Sequence, residues 1–269
     1  MSLLAQVVGF LAGGYLIIVG VMYWKQESFL FYPTVASHAE YKATDVKDYS
    51  FSRDGVTVKG WLVNPLYARE KIVIYYGGNG EDVFFNIDEF EALQVATLFV
   101  AYRGYGPSGG VPGEGDIFAD ALGIFDDIRS QYPASRIFLM GRSLGSGVAC
   151  YVGSKRQIAG VILITPYDSL VSVAQSAYPW LPVGRLLRHR FDSVAYVAKV
   201  EAPFLIFYGG RDTVVRPERT RKLLDHIPGE KKVVFIERGE HGTISMFPEY
   251  WPSVLEFLNG GGGEADVLL

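Results

Sequence analysis

Cysteine is nearly absent. The 269-residue chain has Cys150 alone, which excludes an intramolecular disulfide and any metal site built from several thiolates. An excess of basic charge is missing too: 25 Lys and Arg stand against 29 Asp and Glu, a formal net charge of −4. With no positive field to hold a polyanion, nucleic acid is not an expected partner. Histidine is scarce, with four in the chain, and no cluster of ligating residues reads as a metal or cofactor site, so the expected cofactor complement is none. The same scarcity limits the candidates for an imidazole base to His38, His189, His226 and His241.

Charge disappears altogether between Leu3 and Trp24, where Gln6 is the one strongly polar side chain in a 22-residue run. At about 1.5 Å rise per residue such a run crosses a hydrocarbon core of roughly 30 Å. Tyr23, Trp24 and Lys25 close it with the aromatic and cationic groups that mark a lipid–water boundary. A cleaved secretory signal would want a basic first segment, a shorter apolar stretch and a small-residue cleavage site. The reading is therefore a retained membrane anchor, with the lipid bilayer a partner through residues 3–24; a signal peptide and a buried soluble helix are the competing readings. No Lys or Arg precedes the run, whereas Lys25 and Lys42 follow it, which leans towards a cytoplasmic catalytic domain.

Beyond the anchor, a composition 49% hydrophobic and 20% charged suits one globular domain. The expected organisation is an anchor at 1–24, a linker at 25–44, a domain at 45–259 with a cap at about 167–200, and a flexible tail at 260–269 carrying four consecutive glycines. Period-two runs Tyr49 to Arg53 and Val56 to Val63 flank Asp54-Gly55, a tight-turn pair. Continuous apolar runs follow at Ile72–Tyr76, Thr97–Tyr102, Ile137–Met140, Val161–Ile164, Phe204–Tyr208 and Val233–Ile236. Helical patterns separate most of them, including Ile117–Ser130, Leu144–Lys155, Pro217–His226 and Pro248–Leu258. Strands alternating with helices predict an α/β fold with a mostly parallel sheet covered on both faces. The nearly 40 residues between Pro166 and Phe204 are too many for a simple crossover and predict a small helical cap over the carboxyl edge of the sheet.

The chemistry concentrates at loops following strands. Gly141-Arg142-Ser143-Leu144-Gly145 is a G-x-S-x-G sequence between a strand and a helix, the context in which a serine on a sharp turn becomes a nucleophile. A serine hydroxyl needs a base. Among the four histidines only His241 follows the last predicted strand, in Gly239-Glu240-His241-Gly242. His38 falls in the linker, His189 in the cap and His226 at a helix end. The base in turn needs an acid to fix its tautomer; Asp212, in Gly209-Gly210-Arg211-Asp212 after another strand, is the first choice, Asp168 the main rival and Asp192 a lesser one. An oxyanion hole would use the backbone N–H of Leu144 and that of Asn79, within Gly77-Gly78-Asn79-Gly80.

These segments, in this order, resemble the α/β-hydrolase superfamily over most of residues 45–258. More narrowly, the chain is similar to membrane-anchored α/β-hydrolase domain-containing proteins. The similarity lies in the apolar N-terminus followed by Gln26-Glu27-Ser28-Phe29-Leu30-Phe31-Tyr32-Pro33, in Tyr102-Arg103-Gly104-Tyr105-Gly106-Pro107-Ser108, in Gly141 to Gly147, and in Arg190-Phe191-Asp192-Ser193. The chain order Ser143, Asp212, His241 is the one this fold uses. One departure stands out: relatives usually carry His-Gly where this chain has Gly77-Gly78, which bears on the rigidity of the oxyanion loop. The resemblance implies hydrolysis of an acyl ester or thioester substrate. The expected function is a serine hydrolase cleaving carboxylic esters through an acyl-enzyme on Ser143. The alternatives are an acyl-protein thioesterase of the depalmitoylating kind, a serine peptidase and, outside catalysis, a membrane-tethered binding protein.

Duller roles are expected elsewhere. Cys150 reads as a core thiol, and Tyr102-Arg103-Gly104-Tyr105 as a brace for the sheet edge. Arg185, Arg188 and Arg190 read as solvated or paired, or as headgroup contacts should the cap face the membrane. Tyr178 and Trp180 fit either an acyl pocket or packing of the cap.

Overall fold

The computed structural model describes residues 2–34 and 45–260. Part of the expected linker, including His38, and residues 261–269 of the expected tail lie outside the described residues. The first helix, α1 (Leu3–Leu30), continues past Trp24 into the segment assigned to the linker by sequence. Ser2 caps it, its hydroxyl accepting the Ala5 N–H at 3.4 Å.

Eight strands follow: β1 (Val46–Arg53), β2 (Val56–Val63), β3 (Ile72–Tyr76), β4 (Ala96–Ala101), β5 (Ile137–Arg142), β6 (Gly160–Ile164), β7 (Phe204–Gly209) and β8 (Lys231–Ile236). They form one sheet in the order β1-β2-β4-β3-β5-β6-β7-β8. The β1–β2 and β2–β4 pairings are antiparallel, and the rest are parallel. Between strands lie α2 (Ile87–Glu91), α3 (Glu114–Gln131), α4 (Leu144–Gly153), α5 (Leu170–Ala177), α6 (Val183–Leu186), α7 (Ser193–Val197) and α8 (Pro217–Leu224), and α9 (Tyr250–Leu258) closes the domain.

The strand pleat divides the core in two. In β3, Ile72, Ile74 and Tyr76 enter one apolar cluster with residues of α3, α4 and α8, while Val73 and Tyr75 enter a second with residues of α2 and α9. Because both faces are covered, the central strands read as continuous apolar runs. Helix α3 buries Ile117, Phe118, Ala121, Ile124, Phe125 and Ile128, the spacing of one helical face. Burial of each isoleucine or phenylalanine side chain among them stabilises the fold by about 1.5–3 kcal/mol.

Two polar ties bear on the site. Arg103 forms a buried, two-pronged pair with Asp120, at 2.6 Å from both Nε and Nη2, and Arg53 joins the same carboxylate at 2.8 Å. This braces the segment 102–105 against α3. The cap comprises α5, α6 and α7, and α1 docks on it through the buried Gln26. The Gln26 amide donates to the Leu186 carbonyl at 3.3 Å and accepts the Arg188 N–H at 2.8 Å.

Candidate active site

Ser143 stands where β5 turns into α4, with φ 49° and ψ −115°, a backbone state that costs a non-glycine residue about 1–3 kcal/mol. Close packing of the turn explains the flanking glycines. A Cβ on Gly141 would lie 2.3 Å from the Gly145 carbonyl oxygen, and one on Gly145 would lie 2.0 Å from that of Tyr76. The Ser143 N–H is anchored to the Ile164 carbonyl at 2.9 Å, so β6 fixes the position of the turn.

The loops after β7 and β8 bring Asp212 and His241 to this turn. His241 Nε2 lies 2.9 Å from Ser143 Oγ, and His241 Nδ1 lies 2.8 Å from Asp212 Oδ2. The second carboxylate oxygen, Asp212 Oδ1, accepts the N–H groups of Val214 and Val215 at 2.9 and 2.8 Å. Those bonds hold the buried carboxylate in one orientation. In this arrangement a proton on Nδ1 would face the aspartate and leave Nε2 to accept one from the serine.

The rival acids are engaged elsewhere. Asp168 is buried against Arg219 and Lys222, at 3.2 and 3.3 Å, and Asp192 accepts the Ala195 N–H at the start of α7. His226 Nδ1 stays with the Lys222 carbonyl at 2.8 Å, and His189 Nδ1 accepts the Glu114 N–H at 3.2 Å.

The glycine-rich loop after β3 lies against Ser143: a Cβ on Gly78 would be 3.5 Å from the Ser143 Cβ. Asn79 follows, and its side chain ties the loop to the end of α1 and to Tyr105. Its Oδ1 accepts the Tyr32 N–H at 3.0 Å and the Tyr105 hydroxyl at 2.8 Å, and its Nδ2 donates to the Leu30 carbonyl at 2.6 Å. The donor expected of this residue is its backbone N–H. Leu144, the first residue of α4, presents a second N–H at a helix start, where orphan donors collect.

Sequence reasoning passed over Glu81. Its Oε2 accepts the Gly78 N–H at 2.5 Å, and its Oε1 accepts from the Tyr75 hydroxyl at 2.7 Å and the Asn86 amide at 2.6 Å. Arg142 Nη1 lies 3.5 Å away. Burial pushes the Tyr75 phenol well above its ordinary value, and the Glu81 charge pushes the same way. For Arg142, burial alone would lower the guanidinium, but Glu81 and Tyr75 outweigh it and hold it above its usual range. The one available signal was position, a carboxylate one residue past Gly77-Gly78-Asn79-Gly80.

This strand order and this grouping of loops define a hydrolase of the α/β class. Residues 117–246 match the family model for the alpha/beta hydrolase domain. An uncharacterized protein of Mycobacterium tuberculosis is 30% identical over 201 residues, covering 72% of each chain. The chain belongs to the α/β-hydrolase family. An uncharacterized membrane protein of Saccharomyces cerevisiae is 28% identical over 218 residues, 77% of each chain. Among solved structures, an esterase of Pyrococcus furiosus superposes with a TM-score of 0.68 at 21% identity, covering 87% of this chain and 99% of that one; at that identity the likeness is one of fold.

Proposed function

We propose that the protein is a membrane-anchored serine hydrolase that cleaves carboxylic esters of acyl chains. The observation that carries this reading is the unbroken hydrogen-bonded series Asp212–His241–Ser143, at 2.8 and 2.9 Å. Ser143 Oγ attacks the substrate carbonyl as His241 Nε2 takes its proton. The N–H groups of Leu144 and Asn79 receive the oxyanion. The imidazolium then returns the proton to the departing alcohol oxygen, leaving an acyl-enzyme, and a water deprotonated by His241 releases the acid and regenerates Ser143. Proton and acyl transfers balance using only these side chains, water and substrate.

Residues 3–24 serve as the single membrane span, with the catalytic domain on the cytoplasmic side. The length and apolar character of α1 support the span, and the weak Lys asymmetry supports the side. Acyl-ester turnover by the full-length protein in detergent tests the reading. Steady hydrolysis that falls at least a thousandfold in Ser143→Ala, with the thermal transition kept, is the expected result. Equal turnover in the two proteins rejects it. A parallel series of acyl thioesters and peptides ranks the thioesterase and peptidase readings, and a well-folded protein with no turnover of any kind leaves the binding-protein reading.

A further inference from the structure

The cap contains a charge-free stretch. From Leu170 to Gly184 there is no Asp, Glu, Lys or Arg, and Arg185, Arg188 and Arg190 follow at once. At its tip Tyr178 and Trp180 are 42% and 51% exposed, an uneconomical display of aromatic surface for a cap bathed in water.

The position of this tip along α1 decides its surroundings. The Tyr15 hydroxyl donates to the Trp180 carbonyl at 3.1 Å, and the two rings meet edge-on with centroids 6.3 Å apart. Tyr15 lies ten residues before Lys25, about 15 Å along a helix. Farther along, the Arg188 guanidinium sits over the Tyr23 ring at 4.6 Å. The cap thus runs alongside α1, with its cationic end beside the end of the apolar run and its aromatic tip beside the middle. A tip held at the level of Tyr15 cannot stay in water while residues 3–24 lie in hydrocarbon.

The carbonyls of the tip suit such a medium. In hydrocarbon every carbonyl needs an internal donor, and all four from Tyr178 to Leu181 have one. The two hydrogens of Gln175 Nε2 are shared among the carbonyls of Tyr178, Pro179 and Leu181, at 3.1, 3.3 and 3.0 Å, and Tyr15 serves that of Trp180. Pro179 and Pro182 have no N–H to satisfy, and the N–H groups of Tyr178, Leu181 and Val183 reach the carbonyls of Ala174, Tyr178 and Leu181, which leaves that of Trp180 as the tip's one backbone N–H without a partner among the described residues.

We propose that the cap tip, residues 178–183, is a second membrane-embedded element, docked on α1 and immersed in the acyl-chain layer of the leaflet that the C-terminal half of α1 crosses. This rests on the reading of α1 as a membrane span. An apolar cleft of about 90 Å³ between α1 and the cap, lined among others by Met22, Leu30, Ala174 and Leu181, then opens towards lipid chains. The Leu30 carbonyl at its edge is the one that holds Asn79.

The test uses full-length protein in phosphatidylcholine vesicles, with an environment-sensitive fluorophore on Tyr178→Cys, Gly9→Cys or Lys199→Cys. The native Cys150 is buried and stays unlabelled, Gly9 has open space around it, and Lys199 is exposed on the domain. Quenching by lipids carrying a nitroxide on the acyl chain reports contact with hydrocarbon. The proposal expects the probe at 178 to be quenched within twofold of the probe at 9 and several-fold more than the probe at 199. Quenching at 9 with 178 no different from 199 overturns it and leaves the anchor standing. No quenching at 9 removes the anchor reading and the proposal with it. A second measurement does not depend on labelling: brominated acyl chains quench the tryptophan emission of wild type more than that of Trp180→Phe if the tip is immersed, and equally if it is not.

Discussion

The Glu81 carboxylate holds the Gly78 N–H at 2.5 Å, so a side chain sets the loop whose Gly78 lies against Ser143. Tyr75, Asn86 and Arg142 hold that carboxylate in turn. Glu81 thus touches the loop and not the triad, and the role proposed for it is one of positioning.

Replacing Glu81 by Gln keeps the shape but weakens the bond to Gly78 and leaves Arg142 without its counter-charge. The expected result is a kcat about tenfold lower with KM nearly unchanged, and about 1–3 kcal/mol less stability. Ester kinetics alongside thermal unfolding check it; a loss of stability with kcat intact would make Glu81 merely structural.

Asp212→Asn preserves the side-chain volume but removes the charge that stabilises an imidazolium and permits the wrong tautomer of His241. A kcat lower by about 10⁴ is expected, with the fold retained. Asp168→Asn provides the contrast, because that carboxylate faces Arg219 and Lys222: stability should fall while turnover per folded molecule stays within a few-fold.

The two glycines Gly145 and Gly115 should answer alanine in opposite directions. A Cβ at 145 meets the Tyr76 carbonyl at 2.0 Å, whereas a Cβ at 115 meets nothing within 4 Å. Gly145→Ala should cost more than about 4 kcal/mol or abolish soluble expression. Gly115→Ala, in the first turn of α3, should stabilise by about 0.5–1 kcal/mol. Thermal melts in detergent measure both.

Burial pushes the Cys150 thiol from 9.0 up to about 12. Between those values the unfolded chain has released a proton that the folded chain keeps, so this group's contribution to stability is whole below pH 9 and is lost as pH rises towards 12. Native protein at pH 8 should resist iodoacetamide and react once denatured. The alkaline decline in unfolding midpoint should be shallower in Cys150→Ala than in wild type.

Where one position is constrained by its immediate neighbours, the sequence was readable. The tight turn around Ser143 demands glycine on both sides, and strands buried on both faces must be apolar throughout, so β3 to β7 stood out as runs. The scarcity of histidine left little choice for a residue following the last strand. Relationships spread across the chain left no such mark. Glu81 resembles any polar loop residue until Tyr75, Asn86 and Arg142 converge on it. Tyr15 and Trp180 are 165 positions apart, and neither predicts the other. Helix α2, at five residues, is too short to display a period.

If Ser143 is an activated nucleophile, a fluorophosphonate will label it covalently. Detergent-solubilised wild type should be labelled on Ser143 within minutes, and Ser143→Ala and His241→Ala should not be labelled. Well-folded wild type that stays unlabelled, or a Ser143→Ala variant labelled as fast as wild type, would show that Ser143 is not an activated nucleophile.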